Sequence, residues 1–169
     1  MKGSEARLKQ NKKGFTLVEL LVVIGIIGIL FAVILIAVDP ARRFSEARNA
    51  VRRQDVRDIV EAVLEFMTDN RGNFPTNLDT VTASYQILGT HTAGCNAAAC
   101  GQIQTSFFAS SCGDLSASLV ETYLSDIPFD PGTGTSGNTR YAINRTAGSR
   151  IDVVACDAEL GVATINAKR

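Results

Sequence analysis

The 169-residue chain has a single histidine, only four cysteines and no surplus of charge of either sign. Each shortage narrows what it can do. His91 lies in a stretch without regular patterning, and no serine or cysteine stands in a recognisable relation to it, so the commonest general base is present once and without a partner. No glycine-rich phosphate loop follows a strand-like run either. No catalytic residue is assigned and an enzyme is not expected. The zero net charge conceals an uneven split. Residues 1–14 carry Lys2, Arg7, Lys9, Lys12 and Lys13 against Glu5, a surplus of +4, which leaves the rest of the chain at −4. An acidic body lacks the broad positive field of a protein that grips nucleic acid, so nucleic acid is not an expected partner. The length suits one domain of ordinary size with an appendage and excludes a multidomain enzyme.

Polar residues are missing most completely between Phe15 and Val38, where only Thr16 and Glu19 interrupt the apolar side chains and Leu20–Val38 has none. At ~1.5 Å per helical residue that last stretch covers roughly 29 Å, the thickness of a bilayer's hydrocarbon core. A buried helix of this length would show a polar face. A cleaved secretory signal would be shorter, would end in small residues at a cleavage site and would hold no carboxylate. The run is therefore read as a membrane-spanning helix. An acid inside it costs about 2.5–3.5 kcal/mol on insertion scales and needs a partner. None is visible within the apolar run. A cut between Gly14 and Phe15 would create one, because the new α-amino group of Phe15 is a cation.

The residues at this edge, Lys12-Lys13-Gly14-Phe15-Thr16-Leu17-Val18-Glu19-Leu20, form a basic leader ending in Lys-Gly, then Phe-Thr-Leu-x-Glu-Leu before a long apolar helix. This resembles the class III signal of type IV pilins and type II secretion pseudopilins. The resemblance implies cleavage after Gly14 by a prepilin peptidase, methylation of the Phe15 nitrogen with retention of its charge, and a role for Glu19 in assembly through the N-terminal amine of an adjacent subunit. It also implies the partners of such a system: the peptidase, further copies of the chain in a helical filament, an inner-membrane assembly platform with its ATPase, and membrane lipid before assembly. The expected location is the cytoplasmic membrane as a single-pass protein with a cytoplasmic N-terminus, then an extracellular filament. A type II secretion or competence pseudopilin is the alternative within the family. A single-span anchor carrying an exported binding domain that never polymerises is the alternative outside it.

Arginines 42, 43, 48, 52 and 53 follow the span as densely as basic residues precede it, so the positive-inside count alone does not orient the chain. Cys95, Cys100, Cys112 and Cys156 all lie beyond the span, and an even number in a small domain points to an oxidising compartment. Their spacings fit no common zinc pattern. Three disulfide pairings are open, of which Cys95–Cys100 with Cys112–Cys156 is the expected one.

The expected fold class is α+β: one long helix, a membrane-spanning half over 15–38 and an amphipathic half over 39–70, packed on a small antiparallel sheet within an exported head over 71–169, after a leader over 1–14. Asp39-Pro40 should kink or restart the helix, and Arg71-Gly72-Asn73-Phe74-Pro75 should stop it. Residues 76–114 read as a long irregular connection anchored by Tyr85, Ile87, Leu88, Ile103, Phe107 and Phe108. A short helix is expected at Leu115–Leu124, and strands at Thr139–Arg145, Arg150–Asp157 and Val162–Ala167 as a meander. Tyr123-Leu124-Ser125-Asp126-Ile127-Pro128-Phe129-Asp130-Pro131 resembles the Y-L-x-x-x-P-x-D-P turn of many pilins and major pseudopilins.

Charge along the amphipathic half is segregated, with Arg42, Arg43, Arg48, Arg52, Arg53 and Arg57 first, then Asp58, Glu61, Glu65 and Asp69. It reads either as a solvated face or as a device by which staggered subunits pair basic with acidic halves. No aromatic interleaving supports nucleic-acid binding. Resemblance to major pseudopilins raises calcium at Asp126, Asp130, Asp152 and Asp157, but no EF-hand spacing is present. Turn chemistry is the ordinary reading, and no cofactor or metal is expected. Asn144-Arg145-Thr146 matches a glycan acceptor pattern and is read as an ordinary strand end.

Overall fold

The structure, a computed structural model, describes residues 14–82, 84–95, 100–101, 103 and 111–169. The leader residues 1–13 and the expected loop anchors Phe107 and Phe108 lie outside the described residues. The chain divides into two compact units, Met1–Pro40 and Ala41–Arg169.

The first unit holds helix α1, Leu17–Val38, which runs unbroken through Gly25 and Gly28. None of its residues is buried, and its length and composition suffice to cross a membrane. Asp39 closes it in the left-handed region at φ 44°, and Pro40 opens α2, Pro40–Asp69. The helix thus restarts at the Asp-Pro step, since proline suits a first helical turn.

In the second unit α2 buries Asn49, Arg52, Val56, Ile59, Val60, Ala62 and Val63. It ends where Arg71 and Gly72 take φ values of 59° and 85° and the Gly72 N–H returns to the Met67 carbonyl at 2.7 Å. That six-to-one bond satisfies one of the carbonyls a helix end leaves open. Beyond it stands a four-stranded antiparallel sheet in the order β1 (Gln86–Ile87), β2 (Tyr141–Arg145), β3 (Ile151–Ala155), β4 (Ile165–Lys168). The class is α+β, and the meander of the last three strands is as the sequence suggests.

Two details differ from that reading. Residues 76–114 are not wholly irregular, because Gln86 and Ile87 pair with Ile143 and Ala142 as an edge strand, too short for any periodicity to reveal. The helix expected at Leu115–Leu124 shrinks to α3, Ser116–Leu119. Val120 turns to extended backbone and Glu121 to φ 72°, and the Glu121 N–H bonds the Leu124 carbonyl at 2.8 Å, which closes a turn where the helix would have continued.

Both faces of the sheet are covered. Tyr141, Ile143, Ile151, Val153 and Ala155 pack with Val56, Ile59, Val60 and Val63 of α2. On the other face Ile87, Ala142 and Cys156 pack with Cys95 and Cys100. The opposed pair Asn144 and Asp152 is buried on that second face. Asp152 accepts from the Tyr85 hydroxyl at 3.0 Å and lies 3.8 Å from Lys168 Nζ. Burial and the Asp152 charge push the Tyr85 hydroxyl up to about 12. Asn144 is only 8% exposed, so the glycan acceptor pattern sits inside the sheet, in accord with the strand reading.

Candidate functional site

Gly14, Phe15 and Thr16 are non-helical and exposed, and the helix begins at Leu17. Thr16 is its N-cap, which follows from the T-x-x-E pattern at Thr16 and Glu19. Glu19 Oε2 accepts from the Thr16 N–H at 2.8 Å and from the Thr16 hydroxyl at 2.8 Å, while Thr16 Oγ1 accepts from the Glu19 N–H at 3.2 Å. The acid therefore has a partner three residues back, signalled locally by T-x-x-E and neutral rather than cationic. Both Thr16 donors, backbone and hydroxyl, converge on Oε2, and Oε1 meets no donor among the described residues. The Gly14–Phe15 bond lies in the extended segment just ahead of this cap, where a peptidase can reach it. A Cβ at Gly14 would meet nothing within 4 Å, so the chain's own packing does not require glycine there.

In the second unit the charged residues of α2 do something the sequence reading does not anticipate. Arg52, 1% exposed, forms a bidentate pair with Asp130, its Nε 2.6 Å from Oδ2 and its Nη2 3.0 Å from Oδ1. Its Nη1 reaches Asn49 and Glu159, both at 2.9 Å. Arg48 forks onto Glu159 at 2.6 Å through each contact, and the Asn49 amide exchanges two hydrogen bonds with the Glu159 backbone. Asp130 also accepts from the N–H groups of Gly132 and Thr133 at 2.8 and 3.1 Å. The Asp130-Pro131 turn and the stretch after β3 are thus fastened to one face of α2. Gly134 is required in this turn, because a Cβ would come within 2.4 Å of the Asp130 nitrogen.

This corrects the reading of the charge stripe. Arg52 is buried rather than part of a solvated face, and Arg48, partly exposed, is paired within its own chain. Charge reversal at Arg52 would break the subunit itself. Arg53 and Arg57 remain exposed, as do Glu61, Glu65 and Asp69.

The acids raised as calcium candidates are distributed as follows. Asp130 and Asp157 come together across the Thr133 hydroxyl, yet each faces an arginine, Asp157 being paired with Arg140 at 2.7 and 2.8 Å. Asp126 accepts from the Ile127 N–H, and Asp152 serves the sheet as described. Among the described residues no group of three or more His, Cys, Asp or Glu side chains is placed to hold a metal ion.

Electrostatics of the network carry a pH signature. Burial pushes the Asp130 carboxyl up, but Arg52 and the two turn N–H groups outweigh it and hold Asp130 below the ordinary carboxylate range. Arg140, with Thr133, holds Asp157 low, and Arg48, with Ser45 and Arg52, holds Glu159 low. A carboxyl with a depressed folded pKa stabilises the fold above its unfolded value, and that contribution is lost as pH falls through the folded value. Asp55, raised by burial despite the Tyr141 hydroxyl at 2.5 Å, works in the opposite sense. Stability should therefore decline from about pH 4 downward, the ordinary carboxylate range. Acid titration of thermal stability checks this, and Asp157→Asn should reduce the slope.

All four cysteines are paired, as Cys95–Cys112 and Cys100–Cys156, with Cα separations of 5.1 and 4.4 Å. The expected pairing of Cys95 with Cys100 and of Cys112 with Cys156 is not the one formed. The Cys112 N–H bonds the His91 carbonyl at 3.3 Å and the Gly113 N–H bonds the Ile87 carbonyl at 2.8 Å, which lays Cys112 beside Cys95. Cys100 is left to reach Cys156 on the sheet face opposite α2.

Residues 9–35 match the family model described as the prokaryotic N-terminal methylation motif, the class III signal of type IV pilins and pseudopilins. The match supports a precursor of the pilin or pseudopilin type, a class that is structural rather than enzymatic, and with it processing by a prepilin peptidase and an assembly machinery in general. No curated protein and no solved structure matches the chain.

Proposed function

We propose that the chain is a filament-forming structural subunit of a type IV pilus. Residues 1–14 are its leader, a prepilin peptidase cuts between Gly14 and Phe15, and the Phe15 nitrogen is methylated. The mature chain waits in the cytoplasmic membrane, N-terminus inside, and is polymerised through α1 by an assembly platform and its ATPase into an extracellular filament. The observation that carries this reading is Glu19, a carboxylate at the head of an apolar helix none of whose residues is buried, with one oxygen capped by Thr16 and the other open to a cation from a second chain. Such an acid is costly in a simple anchor and useful in an assembling subunit. The disulfide-stapled head suits exposure outside the cell.

Intact-mass spectrometry of material sheared from cells, beside the membrane fraction, tests the proposal. A pilus subunit appears in the sheared fraction, beginning at Phe15 and carrying one added methyl. A cut chain confined to the membrane fraction favours the pseudopilin, and an uncut chain favours the anchored binding domain. Glu19→Ala should abolish the sheared product while leaving membrane insertion intact, which immunoblots of both fractions will read. Insertion with undiminished filaments would refute the role given to Glu19.

A further inference from the structure

Arg145 closes β2 and lays its guanidinium over the ring of Phe74, with the guanidinium carbon 4.1 Å from the ring centroid. Stacking of this kind fixes the plane of the cation without neutralising it. Arg48, Arg52 and Arg140 are each paired with a carboxylate, whereas Arg145 makes no ion pair among the described residues. Its Nε–H is buried and meets no acceptor among the described residues. A buried donor left open asks for a ligand or an ordered water, since leaving it unmet costs about 1–3 kcal/mol.

A cleft of about 440 Å³ lies against this group, between the turn that ends α2 and the β2–β3 hairpin. The volume falls in the range of small-molecule sites, roughly 300–1,000 Å³. Its walls include Asn73, Phe74, Thr76, Asp79, Arg145 and Ser149. Apart from the Phe74 ring these offer an amide, two hydroxyls, a carboxylate and one oriented cation. They suit a ligand bearing hydroxyl groups and an anion. Asp79, in the same wall, disfavours a doubly charged anion such as phosphate and accepts from hydroxyls. Its place is fixed, because its Oδ1 accepts the Val81 N–H at 3.0 Å.

We propose that this cleft binds one acidic sugar unit, its carboxylate on Arg145 and its hydroxyls on Asp79, Asn73, Thr76 and Ser149. The site lies wholly in the second unit and does not depend on the filament reading.

The test uses the full chain in mild detergent at pH 7, titrated by calorimetry with galacturonate, galactose, inorganic phosphate and a galacturonate oligomer. Galacturonate should bind saturably, at least tenfold more tightly than galactose or phosphate. Arg145→Gln should weaken it at least tenfold with an unchanged near-ultraviolet dichroism spectrum. Asp79→Asn, which keeps the acceptor for the Val81 N–H, should shift preference towards phosphate and guards against a folding defect at Arg145. Tighter binding of the oligomer assigns the site to a polysaccharide, and preference for the monomer assigns it to a free acidic sugar. Equal binding of galacturonate and galactose, phosphate binding as tight as galacturonate, or indifference to both substitutions would overturn the proposal.

Discussion

Arg52→Met should cost the second unit about 3–5 kcal/mol, the usual penalty for removing one partner of a buried ion pair. The loss comes from Asp130, which is 0% exposed in its side chain and would be left as an anion held by the Gly132 and Thr133 N–H groups and the Thr133 hydroxyl, with no cation beside it. Glu159 would keep Arg48, so the damage should concentrate on the Asp130-Pro131 turn. Arg52→Met combined with Asp130→Asn removes the stranded charge while an amide oxygen still accepts the turn N–H groups. The double variant should therefore recover about half of the loss, and the non-additivity measures the coupling of the pair. The chain has no tryptophan and three tyrosines, Tyr85, Tyr123 and Tyr141, all in this unit, so their near-ultraviolet dichroism follows its thermal unfolding directly. A double variant less stable than Arg52→Met would show that hydrogen-bond geometry, not the buried charge, dominates.

What could be read from the sequence follows the physics of each element. A membrane tolerates so few patterns that α1 is visible as an uninterrupted run, and Glu19 stands out because it breaks the rule that makes the run. The cap at Thr16 is equally legible as T-x-x-E. Arg52 is a subtler case. In the charge stripe it resembles Arg53, yet it lies at helical spacing with Val56, Ile59 and Val63, on the buried face, alongside Asn49. A charged residue on an apolar stripe is a sign of a distant partner, although nothing local names Asp130, 78 positions onward, as that partner. The disulfide pairing and β1 belong to a different category. Both depend on where Gln86, Ile87, Cys95, Cys100 and Cys112 come to lie against the sheet, and no periodic pattern encodes that placement. The stacking of Arg145 is likewise invisible until Phe74, beyond the end of α2, is found beneath it.

Removal of the Cys100–Cys156 bridge by paired alanine substitution should be the second large loss, about 4 kcal/mol by the chain-entropy account, against about 3 kcal/mol for Cys95–Cys112. The ordering follows from sequence separations of 56 and 17. Contact energies act in the same direction, because Cys100 and Cys156 are both buried in the small core on the sheet face that α2 does not cover, whereas of the other pair Cys95 is buried there and Cys112 only partly. The two loops interleave, so each bridge already restricts part of the chain the other would free. Removing both should therefore cost less than the two losses added together. Chymotryptic cleavage after Phe107 or Phe108 separates Cys112 from the peptide that holds Cys95 and Cys100. The pairing in the structure links that peptide, the Cys112 peptide and the Cys156 peptide in one three-membered product, whereas a Cys95–Cys100 bridge would release the first of them alone. If loss of Cys95–Cys112 proves the more costly, the cover of the second sheet face is held chiefly at the His91 end, where the Cys112 N–H meets the His91 carbonyl, and loop length is not what sets the stability of this unit.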